Sequence, residues 1–141
     1  MINSKLIIAT VVGAVVYFLL GWLVYGILLM DFFTNNTTFF EGLNKEMPDL
    51  LILFISNLFT AFLVAFICQH WAKKTTLMDG LQTGLFLFFL MGVALDLMFY
   101  STMNLHTPLA LVVDIAVYTV MGGIIGAVIG WVLGTGKKAE A

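Results

Sequence analysis

The chain has 141 residues, 62% of them hydrophobic and only 10% charged, with a mean hydropathy of +1.08. That balance excludes an ordinary soluble domain, and the apolar runs leave no length over for a separate catalytic one. The formal charge of -2 says little about partners, but the lysine tail is too short, and phosphate-neutralising charge too sparse, for a nucleic-acid surface.

Four runs are long enough for helices that span a hydrocarbon core, which takes roughly 20 residues each: 6–30, 50–68, 81–100 and 109–133. The expected fold class is therefore all-α, a single four-helix transmembrane bundle over residues 1–141. The first run follows Lys5 and has no small-residue cleavage site, so it reads as a retained helix. It carries Gly13, Tyr17, Gly21 and Tyr25 at intervals of four, a stripe that predicts close helix contacts at Gly13 and Gly21.

The 31–49 connection is flanked by Asp31 and Asp49. Asp49 follows Pro48 and reads as a helix-start carboxylate, favoured there by orphan amides and the helix dipole. Asn57 lies about 13 Å past Pro48 by helical rise, with Ser56 and Thr60 close by. As an intramembrane amide it either fastens two helices or extends a polar path. Cys68 is the only cysteine, which rules out an internal disulfide.

In the third run Asp96 sits one turn before Tyr100, and in the fourth Asp114 sits one turn before Tyr118. The 101–108 connection between them holds Asn104 and His106. The last run repeats Gly122, Gly126 and Gly130 every four residues, a strip for close helix approach.

The lysines set an expected topology. Lys5, the Lys73-Lys74 pair and the Lys137-Lys138 pair fall on one side and Lys45 on the other, which predicts both termini in the cytoplasm and the 31–49 and 101–108 connections outside. Asp96 and Asp114 then lie at matching depths near the outer ends. A carboxylate inside a bilayer is expensive and is usually tied to a bundle interior, a wet path or an ion. Such a pair can share a proton, hold a cation or wall a vestibule, or it can hydrogen-bond neighbouring helices in a purely structural role.

The candidate ligand-, ion- or proton-handling residues are thus Asp96, Asp114, Tyr100, Tyr118, Asn57 and His106. No catalytic residue is assigned: no nucleophile elbow surrounds Ser4, Ser56 or Ser101, and no arginine is present for phosphate capture. No cofactor is strongly implied, and the cofactor and metal questions stay open, since HExxH and recurrent Cys or His spacings are missing. His70 beside Trp71 belongs to the face opposite His106, so the two do not form one compact metal site. Expected partners are membrane lipids, a second copy in a homodimer or another membrane protein, and no nucleic acid.

The segment DLMFYSTMN from Asp96 to Asn104, followed by Pro108 and by Asp114 in a glycine-rich last helix, resembles a pattern in small bacterial four-helix membrane proteins of unknown function. The similarity is sharpest over Gly92 to Gly134 and marks Asp96, Tyr100, Asn104, Pro108 and Asp114; a tryptophan just after Asp114, frequent in such proteins, is missing here. The resemblance implies the bacterial inner membrane and no activity. Small multidrug transporters and fluoride channels share the length and helix number, but the first run has no central glutamate and the third no matching channel signature. The expected function is small-solute or cation transport or permeation through an outer carboxylate pair; the alternative is a non-transporting binding, regulatory or assembly module.

Overall fold

The computed structural model describes residues 2–73 and 75–135. Lys74, Lys137 and Lys138, on which the expected topology partly rests, lie outside them.

The described residues are all-helical, with no sheet, and form five helices. Helix α1, Ser4–Leu23, begins at Asn3, whose side chain accepts from the Leu6 amide, and runs on as a π-helical turn over Val24–Leu28. A short α2, Met30–Asn36, follows. Helix α3, Leu50–Phe66, starts at Asp49, whose carboxylate accepts from the Ile52 amide at 3.1 Å, and ends in a second π-helical turn, Ile67–Trp71. Helix α4, Leu77–Thr102, is capped by Thr76, and α5, Pro108–Gly134, by Thr107 with Pro108 in its first turn. Each cap satisfies an amide that the helix itself cannot.

Four of these segments are long and apolar enough to cross a membrane: Ser4–Leu28, Leu50–Trp71, Leu77–Thr102 and Pro108–Gly134. Their bounds depart from the expected runs mainly at the start of α4. Asp79 and Gln82 lower the local hydropathy there, yet the Thr76 cap starts the helix before both. The expected outer connection of residues 31–49 also holds α2, whose seven residues are too few to show as a hydropathy run.

The chain goes up α1, down α3, up α4 and down α5. Its two described ends meet, with Lys5 Nζ donating to the Thr135 carbonyl at 2.6 Å. At the far end the two long connections are laced together: Thr38 N donates to Leu105 O at 2.7 Å and Thr107 N to Asn36 O at 3.0 Å, around an isolated bridge between Thr37 and His106.

Helices α4 and α5 pack backbone to backbone. A Cβ on Gly84 would run into the Gly122 carbonyl and approach the Gly126 Cα to 3.0 Å, and one on Gly126 would meet the Gly80 carbonyl. Gly122, Gly126 and Gly130 therefore pack as their spacing suggests, against a partner strip of Gly80 and Gly84 on α4. At Gly122 the missing side chain makes room for the fully buried Phe88 ring. Helix α1 crosses α5 where Gly13 faces Ile129 and Ala61. Gly21 does not pack: nothing lies within 4 Å of where its Cβ would be, because α1 has diverged from its neighbours by that turn and a cleft has opened.

Candidate functional site

The cleft lies between α1, α3 and α5. It measures about 390 Å³ and is lined by Tyr17, Phe18, Gly21 and Tyr25 from α1 and its π turn, by Leu53 and Asn57 from α3, and by Asp114, Tyr118 and Met121 from α5. Several features of the fold converge to build it. Phe88 lies 5.6 Å from the Tyr17 ring in an edge contact and 4.7 Å from the Tyr118 ring, so the α4 residue seated at Gly122 orients two of the cleft's aromatic walls. The Tyr17 and Tyr118 hydroxyls are neighbours.

Tyr25 sits in the π-helical turn of Val24–Leu28, a local widening of the kind that re-aims side chains. Its hydroxyl donates to Asp114 Oδ1 at 2.6 Å, a short bond of charge-assisted length that ties α1 to α5. Asp96 on α4 adjoins Asp114, close enough for the two carboxyl groups to hydrogen-bond once a proton is shared. Asp96 lies six residues before the end of α4 and Asp114 six residues after the start of α5, so by helical rise each is about 9 Å inside its helix. Asp96 Oδ2 is buried and has no hydrogen-bond partner. An acceptor of that kind is costly unless a donor or cation reaches it.

Beyond Tyr25 and Asp114 lies a second hollow of about 440 Å³, lined by these same two residues together with Phe33, Thr37, Leu43, Asn44, Leu105 and His106. The Tyr25–Asp114 hydrogen bond thus belongs to the walls of both spaces, the connection-facing hollow and the deeper cleft.

Among the residues singled out from sequence, the structure brings Asp96, Asp114, Tyr118 and Asn57 around one centre, with His106 in the wall of the second hollow. Tyr100 is elsewhere. It is exposed and borders a separate hollow with Asn104 and His106. Its turn spacing from Asp96 therefore does not bring it into the cleft. Tyr17 and Tyr25 were visible only as part of a packing stripe, although a phenol inside an apolar helix needs a partner for its hydroxyl. Among the described residues no group of three or more His, Cys, Asp or Glu side chains is arranged to hold a metal ion.

Comparison with protein-family models, curated proteins and solved structures finds no match.

Proposed function

We propose that this is a multi-pass membrane protein that passes a small solute or cation through the Asp96–Asp114 centre. In this reading the four long helices cross the bilayer, the end where Lys5 meets Thr135 faces the cytoplasm, and the laced connections face outward. The lysines of the described residues support that orientation, with Lys5 and Lys73 at one end and Lys45 at the other. The bacterial inner membrane is the setting suggested by the resemblance over Gly92 to Gly134.

The observation that carries the functional reading is the shared wall. A hydrogen bond between Tyr25 and Asp114 separates an outer hollow from a deeper cleft, and a second carboxylate with an unpartnered buried oxygen stands beside it. A carboxylate costs about 2.5–3.5 kcal/mol at the centre of a spanning helix and less toward its end; two of them together, about 9 Å inside their helices and with no described lysine lining the spaces around them, is an arrangement that suits a mobile positive charge. The Tyr25 hydroxyl can turn away when a cation replaces it at Asp114, which opens one space to the other.

Proteoliposomes with an imposed ion gradient, read on a solid-supported membrane, test this. The expected outcome is a protein-dependent current or uptake that falls at least about tenfold in both Asp96→Asn and Asp114→Asn while the proteins remain folded. Flux equal to empty liposomes across protons, alkali cations and small organic cations would sink the proposal. The same Tyr25–Asp114 bond favours a second reading, in which the carboxylate only fastens α1 to α5. In that case Asp114→Asn lowers the unfolding temperature and no flux is found in any variant.

The orientation has its own test. Cys68 is fully buried, so a cysteine introduced elsewhere is the accessible thiol. A membrane-impermeant maleimide added to intact cells is expected to label Lys45→Cys and spare Lys5→Cys; the reverse pattern inverts the topology.

A further inference from the structure

Resting on the cation-handling reading above, we infer that the cleft between α1, α3 and α5 receives a small alkylammonium cation, not a metal ion or an anion. Charge decides the sign. Asp114 is in the wall with Asp96 behind it, and no lysine, arginine or histidine lines the cleft. An anion would meet a carboxylate without compensation.

The lining decides between an organic cation and a metal ion. Ca²⁺ takes six to eight oxygen ligands and Mg²⁺ a strict octahedron, whereas this wall offers one carboxylate, one amide and phenols. Four aromatic rings, those of Tyr17, Phe18, Tyr25 and Tyr118, together with Leu53 and Met121, make the remaining surface. Aromatic faces attract a cation whose own shell is carbon and hydrogen, the arrangement by which alkylated ammonium groups are recognised. A volume of about 390 Å³ suits a small organic molecule and would leave a bare metal ion mostly uncontacted.

Asn57 supplies the independent sign of a ligand. It is only 7% exposed, lines the cleft, and its amide forms no hydrogen bond with any described residue. Its polar atoms are not among the buried unpartnered ones and so open on the cleft, where its carbonyl can accept from one N–H of an ammonium group whose other N–H groups pair with Asp114. Tyr25 occupies Asp114 meanwhile. It competes with the ligand for the same oxygen, so its removal has a predictable sign.

The test is calorimetric titration of the full chain in nanodiscs with n-butylammonium, and with 1-butanol and butyrate as uncharged and negative counterparts. Saturable binding of n-butylammonium is expected, with butanol and butyrate at least about tenfold weaker. Asp114→Asn should weaken the amine at least about tenfold and Asn57→Leu about threefold or more, while Tyr25→Phe should tighten it about threefold to tenfold by freeing Asp114. Butanol binding as well as the amine, no saturable amine binding, or an amine affinity unmoved by both Asp114→Asn and Tyr25→Phe would overturn the inference. If Asp114→Asn does not assemble, the amine-to-butanol ratio and the sign of the Tyr25→Phe effect decide alone. Potassium or proton flux in proteoliposomes without amine binding overturns the ligand class only; absence of every flux removes the broader reading as well.

Discussion

The two halves of the bundle are built on opposite principles. Toward the joined described ends, small residues bring the helices into contact: Ala9, Thr10, Gly13 and Ala14 on α1, Ala61 and Ala65 on α3, Gly80 and Gly84 on α4, and Gly122, Gly123, Gly126 and Gly130 on α5 are buried there, around the larger Leu6, Val64, Ile125, Ile129 and Leu133. Toward the laced connections, Ala110 is the buried residue that α5 contributes before Met121, and the helices part around tyrosines and aspartates. Where apolar side chains gain nothing by leaving lipid for protein, close packing comes from small residues and dispersion. The half with few of them, Gly92 and Ala110, is free to hold polar groups and space. The lesson is that the packed half positions the open one, through Phe88 held in the Gly122 gap and pressed on Tyr17 and Tyr118.

The strongest way to break that relation is to force the packed half apart. Gly84→Leu puts a side chain where the Gly122 carbonyl and Gly126 Cα stand, so α4 and α5 must separate along their length. Destabilisation of about 3 kcal/mol or more is expected, in the range of severe overpacking, read as a lower midpoint in SDS titration of the reconstituted protein. A variant as stable as the parent would mean that the glycine contact is not what holds the bundle.

The open half should respond with the opposite sign. Asp96 Oδ2 is buried without a donor, so Asp96→Asn, which removes the charge and brings an amide of similar shape, is expected to raise stability by about 1–2 kcal/mol. A protein whose flux falls while its unfolding midpoint rises would show that this half trades stability for a site. A fall in both would instead make Asp96 a structural fastener.

How much of this was visible beforehand follows from the same division. The number of long apolar helices was legible because length and hydropathy are local properties, and the cap at Asp49 uses a residue type with a short-range role. The glycine strip of α5 was legible from its period; its partner on α4 was obscured because Gly80 falls beside Asp79, outside the apolar run that draws the eye. At the site, Asp96 and Asp114 announce themselves by cost alone. Tyr25 does not, since eight residues from Tyr17 puts it about 80° around an ideal helix; it joins the cleft wall within a π-helical turn that no periodicity foretells. Tyr100 lies apart from the cleft for the complementary reason. Sharing a helix face with Asp96 said nothing about which neighbour that face met.

The finest comparison lies within one helix, between Gly13 in the packed half and Gly21 in the open one. A methyl group at Gly13 would approach the Ile129 Cδ1 to 2.7 Å, so Gly13→Ala requires a rotamer change at a fully buried isoleucine and is expected to cost about 1 kcal/mol. At Gly21 the methyl group meets nothing within 4 Å, and alanine's better helix propensity is worth about 0.5–1 kcal/mol in the other direction. Paired SDS titrations of the two variants check the signs. Because Gly21 lines the cleft, Gly21→Ala should also leave the fold firmer and the cleft slightly smaller, so a stabilised protein with weaker n-butylammonium binding would tie the missing side chain to the space it leaves. Equal losses at both positions would mean that α1 packs along its whole length and that the cleft closes in the membrane.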